Sequence, residues 1–337
     1  MSRRNRMEDR MTLARMLAAL ALIFVFLAPR REAALAQAWP AHPLRIIVPF
    51  PAGGSADAQT RVIADELGRA LGQPVIVENK PGAGGNLGAA AAAHAAPDGY
   101  TLFMATTGTH ASNVSLYKNL PFDPAKDFAP LTLVTMNPQA IVAGDKYAGL
   151  DLAGLIARLK AAGAAASFGS SGIGSATHIA GDLFNRETGA ALVHVPYRGQ
   201  GPALNDLLGG RLDVMFPLAA DVFSFVKSGK LHAVAMMSDA RARSLPDIPT
   251  TAELGLPKLR LSPIWTALYT VAGTPAPVVD WLNRELVRII TSPAFVQRLE
   301  VAGYEVRASS PDELKTFAAA ETAKWGEIIR TLDVHLE

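Results

Sequence analysis

LRIIVPFPAGGSAD, residues 44–57, is the stretch whose reading decides the fold. Leu44 to Val48, apolar and β-branched apart from Arg45, reads as a buried strand. Residues 49–54 cannot continue it, because two prolines and two glycines favour a tight turn. Ser55 is a residue type that caps helices, and Asp57 suits a first helical turn. Ile63, Leu67, Ala70 and Leu71 then recur at helical spacing. A strand that passes through glycines into a helix aims several backbone N–H groups at one point, where the helix adds its partial positive charge. That makes an anion site, with a plain tight turn as the alternative. It is not a P-loop, because no Gly-Lys-Ser/Thr follows.

The same unit recurs outward from there. Residues 74–78 (PVIVE) read as a strand, 79–86 as a glycine-rich loop, 86–96 as an Ala-rich helix and 100–105 as a third strand. After about Leu150 a second set begins: helix 152–162, strand 166–169, helix 176–187, strand 192–197, helix 202–208, strands 212–216 and 231–237. Strands alternating with helices imply an α/β fold with crossover connections and largely parallel sheets. The C-terminal part turns helical, and Ser310-Pro311-Asp312-Glu313 is a capping box with Pro at the first helical position. The stretches 138–145 and 259–270 read as extended crossings. They divide the chain into lobe 1, residues 37–140 with 261–337, and lobe 2, residues 141–260. A hinge crossed twice suits closure on a ligand.

Residues 169–178, GSSGIGSATH, place a second glycine loop between strand and helix in the other half. Thr177 stands where a dinucleotide fingerprint needs its third Gly, and no G-x-S-x-G elbow is present. His178 and His194 lie beside this loop, and Tyr197 and Arg198 end the next strand. The seven histidines have no metal-ligand spacing, and neither a nucleophile–base–orienter set nor paired general acids stands out. No cofactor or metal is implied.

The N-terminus carries Arg3, Arg4, Arg6, Arg10 and Arg15, then an apolar run over 17–28, then small residues around 34–38. This is the pattern of a signal peptide over residues 1–36, cleaved near Ala36 or Ala38. The apolar run is short for a spanning helix. Removing residues 1–36 takes away seven of 32 basic and three of 30 acidic side chains, leaving a net charge of −2. No basic stripe remains to suggest nucleic acid. There is no cysteine, which excludes a thiolate metal site, a Cys nucleophile and a lipoprotein anchor.

The glycine loops, in this order, resemble those of the substrate-binding proteins of tripartite tricarboxylate transporters, the Bug family. The matching segments include VPFPAGGSAD (48–57), ENKPGAGGNLGA (78–89), APDGYTLFMAT (96–106), GSSGIGSATHIAGDLF (169–184) and HVPYRGQGPALNDLLGGRLDVMF (194–216). The resemblance implies a two-lobed type-II periplasmic binding protein fold with a ligand cleft between the lobes. It also implies a periplasmic, monomeric receptor for a small carboxylate, working with membrane permease subunits. A sensor protein as partner, or a serine hydrolase, are the other readings. Carried over by motif, the ligand-binding set is Phe50, Gly53, Gly54, Ser55 and Asp57 from the first loop, Thr106 and Thr107 after the third strand, Ser171, Gly174, Ser175 and His178 from the second loop, Tyr197, and Asp221 near the start of a later helix. Pro217 departs from the acid or amide common in the family after the LDVMF strand. That makes this wall more apolar and implies a longer or aromatic carboxylate.

Overall fold

The computed structural model describes residues 39–332. The proposed signal peptide lies outside them. Among the described residues, ten strands form two five-stranded sheets. In the first, β1 (Leu44–Val48) pairs in parallel with β2 (Val75–Asn79) and β3 (Thr101–Thr106). In the second, β6 (Ser167–Ser170) pairs in parallel with β7 (Val193–Pro196) and β8 (Val214–Met215).

The sheets are mixed, which corrects the largely parallel expectation. β10 (Ile264–Val271) runs antiparallel to β3 and to β4 (Phe128–Asn137). β5 (Ala140–Ala143) runs antiparallel to β8 and to β9 (His232–Met236). The reason is connectivity. The chain leaves the first sheet at Asn137, enters the second at Ala140, and returns to the first at Ile264. A strand that arrives from the other sheet has no crossover helix to force it parallel.

Helices cover these sheets, so β1 is apolar apart from exposed Arg45, with Ile46, Ile47 and Val48 fully buried. The helix Ser55–Leu71 packs on them through Ile63 and Leu67 and stops at Gly72, whose φ of 63° is the left-handed helix end that glycine favours. The helix Ala276–Ile290 buries Leu282, Leu286 and Ile290, and the helix Pro311–Leu332 buries Trp325. The capping box forms as read: Glu313 accepts from the Ser310 N–H at 2.8 Å, and Ser310 Oγ from the Glu313 N–H at 3.2 Å.

Candidate ligand-binding site

Parallel strands all point their C-terminal ends the same way, and the loops that leave those ends share one sheet edge. In the first sheet these are the loops after β1, β2 and β3; in the second, those after β6, β7 and β8. Such edges are where open α/β sheets bind ligands. Every residue in the sequence-derived set lies at one of these edges, apart from Ser55, Asp57, His178 and Asp221, which sit in the helices that follow.

The first loop differs in detail from its reading. Ser55 is the first helical residue, not the cap. The cap position belongs to Gly54, which offers no side-chain hydrogen bond to the helix. The amides of the first turn therefore face whatever stands before the helix. Gly54 has an ordinary extended backbone, φ −78°, and the left-handed residue is Gly53, φ 84°.

Asp57 holds this turn in place. It accepts from the Gly53 N–H at 2.9 Å, from Asn79 Nδ2 at 3.0 Å, and from Arg61 through both oxygens at 2.9 Å. Burial works against its charge, but the bonds from Arg61, Gly53 and Asn79 outweigh it and hold the carboxyl below its ordinary range. Asn79 Nδ2 also donates to the Phe50 carbonyl at 3.0 Å. The glycine-rich loop after β2 braces the first one from beneath. A Cβ on Gly88 would stand 2.9 Å from Pro49 Cα and 2.8 Å from the Lys80 carbonyl, so only glycine fits.

Thr106 and Thr107 are buried. Thr107 Oγ1 accepts from the Trp265 N–H at 2.8 Å, tying β3 to β10. Thr106 Oγ1 accepts from the Thr109 N–H at 3.5 Å.

The second loop is closed on itself. Ser175 caps the helix Ala176–Thr188, accepting from the His178 N–H, and its hydroxyl donates to the Gly172 carbonyl at 2.7 Å. The Gly174 N–H donates to His178 Nδ1 at 3.2 Å, and the Ser171 N–H to Thr177 Oγ1 at 2.9 Å. Thr177 Oγ1 also lies 3.1 Å from Ser171 Oγ. When Thr177 donates there, the part-exposed Ser171 hydroxyl is free to donate outward. Ile173, at the tip, is 54% exposed.

His178 and His194 stack at 3.9 Å. Burial lowers both; Asp182 partly opposes this at His178, and the neighbouring His178 adds to it at His194, which is pushed down to about 4. Burial favours the neutral form of both, so this loop presents dipoles rather than positive charge. His178 Nδ1 is occupied by Gly174 and its Nε2 faces Asp182 at 3.2 Å. Neither nitrogen is aimed at Ser171 or Ser175 as a base would be. The Tyr197 hydroxyl donates to Asp206 at 2.6 Å.

Asp221 lies in the first turn of the helix Ala219–Lys227, beyond β8. Near it stands a residue the sequence reading missed, Tyr304. The segment 303–307 runs along β4, with Val306 bridging to Thr135. The Tyr304 phenol lies near Asp221, Ser55 and Gln59, and burial with the Asp221 charge pushes it up. Gln59 Oε1 accepts from the Thr135 and Thr266 hydroxyls at 3.2 and 2.9 Å. Gln59 follows Ser55 by one helical turn, a spacing that places both on one face. Nothing in the sequence around Tyr304 marks it. Gln139, between β4 and β5, was also missed; its Nε2 donates to the carbonyls of Phe216 and Ala176 at 2.8 and 3.3 Å.

Among the described residues, no cluster of three or more His, Cys, Asp or Glu side chains is placed to hold a metal ion. No described helix is long and apolar enough to cross a membrane.

Residues 59–334 match the family model described as the tripartite tricarboxylate transporter family receptor. Protein BugT of Bordetella pertussis is 37% identical over 321 residues, covering 94% of this chain and 98% of that protein. Two solved structures share the fold. An R. palustris protein with adipate has a TM-score of 0.83 at 29% identity, covering 88% of this chain and 99% of the other. MatC from Rhodopseudomonas palustris with bound malate has a TM-score of 0.80 at 33% identity, covering 86% and 100%.

Proposed function

The chain belongs to the tripartite tricarboxylate transporter receptor family, and we propose that it is a periplasmic receptor that captures a dicarboxylate of malate-to-adipate size without altering it. The observation that carries this is the uncapped start of the helix Ser55–Leu71, open at the sheet edge and framed by Asp57. Backbone amides and a helix dipole there suit a carboxylate and specify little else. The relatives solved with malate and adipate support the ligand class.

The two sheets are the cores of the two lobes, 37–140 with 261–337 and 141–260. On closure the first loop takes one carboxylate, and Ser171 and the backbone at the tip of the second loop meet the other end. Ile173 and the buried Pro217 offer an apolar stretch to the ligand's chain. The side chains of Asp57, Thr107 and Tyr197 position these groups rather than touch the ligand, because their polar atoms are engaged within the protein. The basic and apolar leader over residues 1–36 directs secretion, and the mature monomer delivers its ligand to membrane permease subunits.

A thermal-shift panel of mono-, di- and tricarboxylates tests the reading. A ligand at 100 times its Kd should stabilise the protein by about 2.7 kcal/mol, and mass analysis should recover it unchanged. A panel without any shift, or a ligand chemically converted, would sink it.

A further inference from the structure

The helix Pro293–Glu300 ends in a turn that does more than stop it. The Gly303 N–H donates to the Glu300 carbonyl at 2.9 Å and the Tyr304 N–H to that of Leu299 at 3.0 Å, with Gly303 at φ 86°, a left-handed helix end. The chain then runs back along the last residues of β4. The Met136 N–H donates to the Glu305 carbonyl and the Glu305 N–H to Asn137 Oδ1, both at 2.9 Å, and Val306 bridges to Thr135. Asn137 is the last residue of the first sheet before the chain crosses to β5. This strap is therefore pinned to the first sheet where the crossing begins.

The strap also touches elements of the second sheet. A Cβ on Gly303 would stand 2.9 Å from Phe223 Cβ and 3.1 Å from Ala220 Cα, both in the helix Ala219–Lys227 that follows β8. Glu305 Oε1 accepts from the Arg243 N–H at 3.0 Å, in the loop after β9. The parts built on the two sheets thus meet here as well as at the chain crossings. A helix stop accounts for the φ of Gly303 but not for this closeness. At Gly210, Gly229 and Gly255, which are also left-handed, nothing lies within 4 Å of the same position.

Resting on the carboxylate-receptor reading, we infer that Gly303 is a positioning residue for capture: it is the bearing on which the second lobe turns, and its lack of a side chain sets how far the lobes close. The helix Ala219–Lys227 leaves the C-terminal end of β8, the edge that meets the ligand. A side chain at position 303 would stand between the strap and the start of that helix, nearer than the 3.5–4.0 Å or so at which carbons pack. The strap cannot retreat, because Glu305 and Val306 hold it to β4. The helix must give instead, and the lobe that carries it is held open. A receptor whose closed form is populated only part of the time binds more weakly by that fraction. Gly303 therefore tunes affinity without touching the ligand.

The test combines calorimetric titration and stopped-flow kinetics of the mature protein with adipate and with malate, and small-angle scattering with and without each acid. Three variants separate the wedge from backbone strain. Gly303→Ala adds both. Gly303→Asn adds the wedge with a residue that tolerates the left-handed backbone. Gly255→Ala, at φ 80° with open space around it, adds strain alone. Both Gly303 variants should bind about tenfold more weakly, as the closed form falls to about a tenth of its wild-type population. The loss should come through faster dissociation, with a smaller ligand-induced fall in radius of gyration, while Gly255→Ala binds as wild type does. Wild-type affinity and closure in either Gly303 variant would overturn the inference and leave the receptor reading standing. So would an equal loss in Gly255→Ala, or Gly303 variants that do not fold. No binding of either acid by the wild type would overturn both.

Discussion

Replacing Gly54 by Asp should make the protein slightly more stable and nearly unable to bind. Gly54 already has the extended backbone of a cap residue, and a Cβ there would meet only the Pro51 carbonyl, at an ordinary 3.5 Å. An Asp side chain can therefore turn back onto the open amides of the first turn. A side-chain cap in place of glycine contributes a few tenths of a kcal/mol, and its charge at a helix N-terminus roughly 0.3–1 more. The sum is about 0.5–1 kcal/mol, a rise of roughly 1–3 °C in Tm. The same carboxylate would occupy the ligand's place and repel whatever approaches it. Two unit charges about 5 Å apart at an effective dielectric near 20 repel by about 3 kcal/mol, on the order of a hundredfold in Kd. Gly54→Asn separates the two effects: it blocks the amides without charge, and should weaken binding by about tenfold. Chemical denaturation and calorimetric titration of the three proteins read both quantities. If Gly54→Asp binds adipate or malate as wild type does, the carboxylate is not held at this helix start.

Asp57→Ala should lose about 2–4 kcal/mol by urea denaturation, since the bonds to Gly53 and Asn79 are internal while half-exposed Arg61 can turn to water. Because the folded carboxyl is held low, that stability is present above its unfolded value near 3.8 and disappears as pH falls through the folded one, so the two proteins should converge in acid. Gly88→Ala should weaken binding and stability together, by about 1–3 kcal/mol, as its Cβ displaces Pro49 beneath the first loop. Asp221 has the opposite sign: its folded value near 7 lies above the unfolded one near 3.8, so wild type loses roughly 2–4 kcal/mol as pH rises between them. The Tm advantage of Asp221→Asn should therefore grow from pH 4 to pH 7.

The strand–glycine–helix unit was legible at residues 44–57 because each of its signals is local: a β-branched run, a Gly-Gly turn, helical spacing. The direction of β5 and β10 was not, because it depends on which sheet the chain has just left, and no short window records that. The placement of the site residues divides the same way. Glycine loops announce themselves by composition, but whether their amides are open depends on which neighbouring side chain turns back. Ser175 closes the second loop, while Gly54 cannot close the first, although both follow a strand and open a helix. Tyr304 was invisible for a further reason. It reaches Ser55 from some 250 residues away, and only the pairing of Val306 with Thr135 brings it there.

The central claim is that backbone at the start of the helix Ser55–Leu71 holds a ligand carboxylate. A crystal structure of the mature protein with adipate tests it most directly. One carboxylate should lie within hydrogen-bond distance of the amides of Ser55, Ala56 or Asp57, with the other end against Ser171 and the tip of the second loop. A carboxylate found instead on the exposed Arg198 guanidinium, with the first-turn amides facing water, would contradict the account.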